Sequence, residues 1–589
     1  GLEAGRAHDA VCRAMRSDPQ ALAKLSELCG LDISFGGGGG GEGVVPGHAA
    51  DVARDLDGAP LSLAWLESKL ESKLESSGAE AAPPVPLLAG YHAPEASAFR
   101  GMMSNGCCLV LTPSAQTAAA AAAAAGGLRA VPRSLFYKRV DMGELPAARL
   151  KAKTAPLKLA RDVKSYAVEA AFLNSGACAS LRLEAGVRCP RVLAVDQRPC
   201  PFNLLDSKFS VLAEDFNKDD GWEQLGMLGA REASASLAAL ATMHAYFWTG
   251  SDFWAGKGQG DQGGEGAGAA SSELEEAVWG AGGYWQPSMQ PESQFEEVAE
   301  KWAFHFGRFG APFERALRAA GVDEPKSLGH RLQAQAKHAA LSSHPFDPST
   351  KAGGEEANWK FRTLLHGDPK AANLFFRPRA MLDDGGLEVD DEGLEVGLID
   401  FQWCGFGLAA TEVAHHLAAA LAPRVLWGRQ ASTARAESTA HHEGEGQGEG
   451  QGEGEGEGGG EIGGPFGAGL AETTERRLVD GYYRELCRGL ARFGAAPSAE
   501  AAASDIIPRA DFDAQLETAL LDMGRLVFAY QWSRADLFDE AKARASPNKN
   551  AYNKHLGSAV WLAARVDAIL KSRGTPSMTG SETRKRKVP

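Results

Sequence analysis

The chain has no cysteine framework: its nine cysteines are odd in number and scattered, with no Cys-x-x-Cys pair and no Cys/His cluster at zinc spacing. That pattern excludes a disulfide scaffold and leads us to expect a reducing, cytoplasmic setting. Long apolar stretches are missing too, since no run approaches the roughly 18 residues needed to span a bilayer. Positive charge is short: 61 Lys and Arg stand against 76 Asp and Glu, a net charge of −15. Neither nucleic acid nor an anionic membrane surface is therefore expected as the main partner. The chain opens on Gly rather than Met, so an upstream targeting segment is allowed for.

What is present falls into globular stretches separated by tracts that cannot bury anything. Asp261–Ser272 and Glu443–Gly460 are rich in Gly, Glu and Gln, and disordered insertions are expected near 257–272 and 433–465. Residues 1–84 read as an extension, partly helical (His8 to Cys29) and partly disordered around the Gly36–Gly41 run. Within it, Leu66, Leu70 and Leu74 recur every four residues, the stripe of a surface helix. Ala118–Ala125 is helical by propensity alone. The tail, 576–589, carries Arg584-Lys585-Arg586-Lys587 and is read as solvated rather than as a nuclear address. Between these tracts we expect one two-lobed α+β unit, with lobes at 85–216 and 217–575.

The most informative stretch is Leu364-Leu365-His366-Gly367-Asp368-Pro369-Lys370-Ala371-Ala372-Asn373-Leu374-Phe375-Phe376. Apolar residues lead in and out, which sets the polar group on a short loop between buried segments. An Asp followed five positions later by an Asn suits phosphoryl transfer. The carboxylate can hold an acceptor hydroxyl, and the amide oxygen a metal ion that neutralises phosphate. Downstream, Val396 to Gln402 supplies a strand ending in a second carboxylate, Asp400.

Upstream, Cys107 to Thr112 and Arg133 to Val140 read as strands. Lys138 lies in an otherwise apolar and aromatic strand, where an amine needs a partner. A helix expected from about Arg161 to Glu184 offers Glu169, flanked by small and apolar residues. An ion pair between them would aim the amine at the α/β-phosphates of a nucleotide; the alternative is an exposed Glu on a surface helix. Arg191 to Asp196 and Phe209 to Phe216 continue the sheet, with Glu214, Asp215 and Phe216 as a hinge acting through its main chain. Ser234 to Trp248 reads as an apolar helix in which His244 is a core histidine. The long acidic turn between Phe376 and Val396 reads as a hairpin extension. Glu412 to Leu426 reads as a helix, and its neighbours His415 and His416 diverge by about 100 degrees, so they do not form a bidentate metal site. Leu516 to Trp532 and Leu556 to Leu570 also have helical spacing. Asp522, Arg525 and Trp532 are candidates for lining an acceptor pocket, with core roles preferred.

His366 to Asn373 together with Ile399-Asp400-Phe401-Gln402 resembles the choline-kinase-like, ecdysteroid-kinase-like branch of the aminoglycoside/choline phosphotransferase superfamily. The resemblance extends to Phe136-Tyr137-Lys138, Ser165 to Phe172, Ala213-Glu214-Asp215 and Thr242 to Trp248, in the right order, across roughly 85–574. It implies a protein-kinase-like fold with a sheet-rich N-lobe, a mainly helical C-lobe and ATP in the cleft. Asp368 would orient or deprotonate a small-molecule hydroxyl, and Asn373 and Asp400 would coordinate Mg2+. Lys138 and Glu169 would anchor the phosphates. Lys370 would either reach the transferred phosphoryl or support the loop, and His366 would brace it. Gly367 stands where protein kinases tend to carry Arg, and no Ala-Pro-Glu follows Asp400, so a protein substrate is not expected.

Two departures stand out. No Gly-x-Gly-x-x-Gly precedes Lys138, and the nearest candidate phosphate loop is Arg100 to Gly106, with Ser104, Asn105 and Gly106 as backbone donors. Glu412 stands where the family usually has Asp, and is expected to brace the loop. The atypical phosphate loop and the insertions keep a second reading open: a pseudokinase, a nucleotide-binding or inert scaffold.

Overall fold

The computed structural model describes residues 45–46, 52–75, 86–100, 104–118, 131–256, 267–350, 352–378, 393–427, 474–534 and 555–574. The glycine run, the helix expected at 8–29, nearly all of the alanine tract, the Glu443–Gly460 insertion and the basic tail lie outside them.

Alternation builds the N-terminal sheet. β1 (Leu88–His92), β2 (Asn105–Pro113), β3 (Ser134–Asp141), β4 (Val192–Arg198) and β5 (Lys208–Glu214) join two two-residue strands in one antiparallel sheet. The central order is β2-β3-β5-β4, and β1 pairs with β2. Along β3, Leu135, Tyr137 and Arg139 are buried on one face. Period-two geometry turns the intervening Lys138 to the other face. In register, Lys138 lies opposite Gly106 on one side and Val211 on the other.

The described part of the stretch read as an extension packs against this sheet. Helix α1 (Leu63–Glu75) puts Leu66 and Leu70 into one core with Val52, Leu61, Leu109, Leu111, Leu135, Tyr137, Leu193 and Leu212. Leu66 and Leu70 of the leucine stripe are therefore buried, and the described residues ahead of 85 share a core with the sheet. Preceding main chain straps the same face. Tyr137 Oη donates to the Arg54 carbonyl at 2.8 Å, Arg139 Nε to that of Asp55 at 3.1 Å, and Lys208 Nζ to that of Leu56 at 2.9 Å.

The helix expected over 161–184 is interrupted. After α2 (Pro146–Thr154), α3 runs Pro156–Asn174 and stops at Ser175. The Ser175 hydroxyl accepts from Cys178 N and donates to Phe172 O, capping a new short helix rather than continuing the old one.

The remainder is mainly helical. α4 (Ala230–Tyr246) packs on α9 (Thr474–Arg492), and α10 (Arg509–Ala529) packs against α7 (Leu328–Ser343), α8 (Ala409–Ala420) and α11 (Leu556–Ser572). α5 (Ala267–Ala277) and α6 (Val298–Ala319) complete the set of longer helices. α5 corrects the expectation of a disordered insertion up to 272. Its Leu274 is fully buried, which gives the Ala/Glu-rich stretch an anchor; residues 257–266 lie outside the description. Among the helices, β6 (Arg362–Leu365), β7 (Leu374–Pro378), β8 (Leu394–Leu398) and β9 (Gly405–Leu408) form two small antiparallel sheets, β8–β7 with Glu223–Gln224, and β9–β6. The α+β architecture, sheet-rich then helical, is the one expected. No described helix is long and apolar enough to cross a membrane.

Candidate active site

The loop after β6 is held from below by one face of α8. Glu412, His415 and His416 are spaced i, i+3, i+4 and so share that face. Glu412 accepts from the main-chain N–H of His366 at 2.9 Å and of Gly367 at 2.6 Å, and from His244 Nε2 at 2.8 Å. Burial would raise this carboxyl, but the hydrogen bond and charge of His244, with His366 and the Gly367 N–H, hold it below its ordinary value. The expected brace is therefore an ionised one. His244 in turn meets Tyr482 Oη at 2.6 Å. His416 bonds the Pro369 carbonyl at 2.7 Å and Ser236 Oγ at 2.9 Å, so each histidine of the adjacent pair has its own structural neighbours.

Gly367 adopts φ 84, and a Cβ there would run into the Trp403 carbonyl. Only glycine fits this close approach. His366 Nε2 donates to the Ile399 carbonyl at 2.8 Å, which leaves Nδ1 to accept from Asp368 N at 3.3 Å. Its ring sits 4.6 Å from that of Phe401, which lies 4.7 Å from Phe172 of α3. Three rings thus connect the loop to the helix that carries Glu169.

The expected polar residues converge. Lys138 Nζ donates to both Glu169 oxygens, at 2.9 and 2.7 Å, and lies 3.5 Å from Asp400 Oδ1. Lys370 Nζ meets Asp368 Oδ2 at 2.5 Å. Asn373 Nδ2 donates to the Asp368 carbonyl at 2.8 Å and to its Oδ2 at 3.3 Å. Because its nitrogen is so committed, the amide oxygen of Asn373 is the atom left for a cation. Its main chain touches the second carboxylate's strand, with Ile399 N donating to Asn373 O at 3.1 Å.

Electrostatics bind these groups into one cluster. Burial would lower the Lys138 ammonium, but Glu169 and Asp400 outweigh it and raise it. Burial likewise opposes Lys370, and Asp368 and Asp400 raise it. Asp400 is the mirror case: burial would raise its carboxyl, and Lys138, Lys370 and His366 hold it down. For Glu169, burial wins over Lys138 and Asp400 adds to it, so its carboxyl is raised. Three carboxylates face two ammonium groups here, a surplus of negative charge suited to a hard cation with oxygen ligands. Asp400 is also the one non-glycine residue with positive φ among those described, at φ 66 and ψ 61. Backbone strain of this kind concentrates at functional sites.

The remaining expectations separate. Asn105 and Gly106 belong to β2, paired with Arg139 and Lys138, so only Ser104 of the three precedes the strand; 101–103 lie outside the described residues. In the hinge stretch, Glu214 pairs with Arg188 and accepts from Arg191 N at 3.2 Å. Asp215 accepts from Ser134 Oγ at 2.8 Å. The Phe216 ring packs 4.6 Å from Trp222 and 5.6 Å from Phe375. All three side chains are engaged, which leaves main-chain groups as the means of contact. Asp522, Arg525 and Trp532 are buried. Arg525 Nε donates to Asp522 Oδ1 at 2.7 Å, and Trp532 lies among Trp302, Phe309, Phe313 and Phe528. Their preferred core roles fit this packing.

Sequence reading passed over two features of the site. His415 Nε2 lies 3.9 Å from Asp368 Oδ1, and its only advance signal is the i+3 spacing from Glu412. Beside Asp400, Trp403 stacks on Trp279 with centroids 5.7 Å apart, Lys164 lies 4.3 Å from the Trp279 centroid and Arg161 5.4 Å from that of Trp403. This cation–aromatic stack joins α3 to the segment after Asp400.

Burial of the two histidines has a consequence for acid stability. Burial holds His416 down at about 4 against an ordinary 6.5, and pushes His415 well below its ordinary value. Below pH 6.5 the unfolded chain binds protons that the fold refuses. Stability is therefore expected to be full above pH 6.5 and to fall as pH drops toward 4, by about 3 kcal/mol for His416 alone. The lowered carboxyls of Glu412 and Asp400 act in the same direction at lower pH still. Urea midpoints measured from pH 7.5 to 4.5 check this, and a flat profile between 6.5 and 5 contradicts it.

No family model and no curated protein matches the chain. Among solved structures it is similar to a microcompartment-associated aminopropanol kinase, at 12% identity and a TM-score of 0.31, over 85% of this chain and 96% of that one. It is also similar to a choline kinase from Cryptosporidium parvum Iowa II, at 8% identity and a TM-score of 0.29, over 82% and 91%.

Proposed function

We propose that this chain is a phosphotransferase that uses ATP and Mg2+ to phosphorylate a hydroxyl of a small-molecule acceptor. The observation that carries this reading is the position of the Lys138 ammonium, bonded to Glu169 and 3.5 Å from Asp400, in one cluster with Asp368, Lys370 and Asn373. Phosphoryl transfer needs such positioning and charge neutralisation more than covalent chemistry.

Each residue then has a task. Lys138, steadied by Glu169, holds the α/β-phosphates. Asn373, through its amide oxygen, and Asp400 hold Mg2+, which when bound neutralises phosphate charge. Asp368 takes the acceptor's hydroxyl proton, and Lys370 steadies the transferred group. Main-chain groups of Glu214 to Phe216 read the nucleobase, and the turn ahead of Asn105 covers the phosphates.

Thermal shift and transfer assays test this together. ATP with Mg2+ is expected to raise the melting temperature more than either alone, reaching about 2.7 kcal/mol of stabilisation at a hundred times the dissociation constant. Radiolabelled γ-phosphate is expected to reach at least one member of a panel of alcohols and amino alcohols, and not with Asp368→Asn. Nucleotide binding with no transfer across the panel favours a nucleotide-binding scaffold, and no binding removes the phosphotransferase reading and leaves the inert scaffold.

A further inference from the structure

We propose that His415 is a positioning residue for Asp368, keeping the Oδ1 oxygen of that carboxylate turned toward the incoming hydroxyl. This rests on the phosphotransferase reading and names a residue that reading does not use. The two carboxylate oxygens of Asp368 are not equivalent. Oδ2 is taken by Lys370 Nζ at 2.5 Å and by Asn373 Nδ2 at 3.3 Å, so Oδ1 is the oxygen left to accept a proton. The imidazole of His415 lies near Oδ1, with Nε2 at 3.9 Å.

That separation is too long for a direct hydrogen bond. The imidazole therefore stands behind the reacting oxygen without consuming its lone pairs. Its own placement is stiff. The ring lies edge-on to Trp285 with centroids 4.3 Å apart, Tyr284 packs at 6.1 Å, and the histidine is fully buried. The flanking residues of α8 pin the adjoining main chain, Glu412 at residues 366 and 367 and His416 at Pro369. A single helical face thus supports the loop from 366 to 369, and His415 is the part of it directed at the side chain that reacts.

Charge agrees with this role. Burial, with Lys370, His416 and His366 nearby, keeps the His415 ring neutral. A second cation beside Lys370 would draw Asp368 away from its task, because a carboxylate held by two ammonium-like groups is a poorer base. A neutral N–H orients without that loss.

The test compares His415→Phe, which keeps the ring and its contact with Trp285, with His415→Gln, which restores a polar hydrogen. His415→Phe is expected to lower kcat about 100-fold, the scale of a small misplacement at a reacting centre, with KM for ATP unchanged. His415→Gln is expected to recover part of the loss. A kcat for His415→Phe within twofold of the parent overturns the proposal.

A readout independent of turnover separates this proposal from the parent reading. In the full chain labelled with 13C,15N-histidine, the His415 resonance is the one missing from His415→Phe. Asp368→Asn is expected to shift it. A resonance that stays in place overturns the proposal whether or not any acceptor is phosphorylated, and a shift in a chain with no transferase activity upholds the coupling of His415 to Asp368 while overturning the phosphotransferase reading.

Discussion

Replacing Glu412 with alanine is expected to destabilise the fold by about 3–5 kcal/mol, the scale of breaking a buried charged network by removing one partner. Glu412 is fully buried and accepts from two consecutive main-chain N–H groups and one imidazole. Alanine leaves all three donors without this acceptor. It also opens a cavity at the base of the loop that carries Asp368. Glu412→Gln keeps the volume and one good acceptor, but turns an NH2 group toward a donor, so an intermediate loss is expected. Urea melts of the three proteins check the order. A Glu412→Ala midpoint equal to the parent's would mean that the loop's own hydrogen bonds, such as Asn373 Nδ2 to the Asp368 carbonyl, hold its conformation without the carboxylate.

The sequence made the reacting groups legible, and Glu412 as a brace by resemblance, but left the partners of the supporting groups hidden, for a physical reason. Asp368 and Asn373 are five positions apart on one short loop, so residue type and spacing already imply a shared site. Lys138 and Glu169 were readable because an amine in an apolar strand and a carboxylate among small helical residues both need partners. Their pairing was inferred by demand, and the 2.7 Å contact is its geometry. Nothing local marks Glu412 as the acceptor for N–H groups 45 and 46 positions earlier. The same holds for His415 against Asp368. Such contacts arise from how α8 lies under the loop, and helix packing leaves only a weak imprint on composition.

The misreadings follow the same line. The leucine stripe of α1 has the period of an amphipathic helix, but period alone does not say whether the apolar face meets water or a sheet. Burial of Leu66 and Leu70 decides it. The break at Ser175 was hidden because a single serine, though it favours caps, is tolerated inside a helix, and here its hydroxyl accepts from the Cys178 N–H. Left-handed backbone at Asp400 is likewise invisible in sequence, since Asp occupies that region only where its surroundings impose it.

That backbone makes Asp400→Asn the sharpest single test of the proposed chemistry. Asn tolerates positive φ as well as Asp does, so the turn is expected to survive and any fall in melting temperature to be that of the lost charge. Alanine at the same position adds strain of about 1–2 kcal/mol and should melt lower, which separates backbone from charge. What Asn removes is the negative charge that Lys138 and Lys370 both feel. Lys138 then keeps Glu169 as its carboxylate partner, and the proposed Mg2+ would lose its one charged ligand beside the Asn373 amide. Phosphoryl transfer is expected to fall about 1000-fold, the scale of about 4 kcal/mol for a group that meets developing charge in a dry site. The extra stabilisation by Mg2+ over ATP alone should shrink with it. A parental rate in Asp400→Asn, with the fold intact, would take the cation away from this carboxylate and with it the proposed division of labour between Asp400 and Asp368.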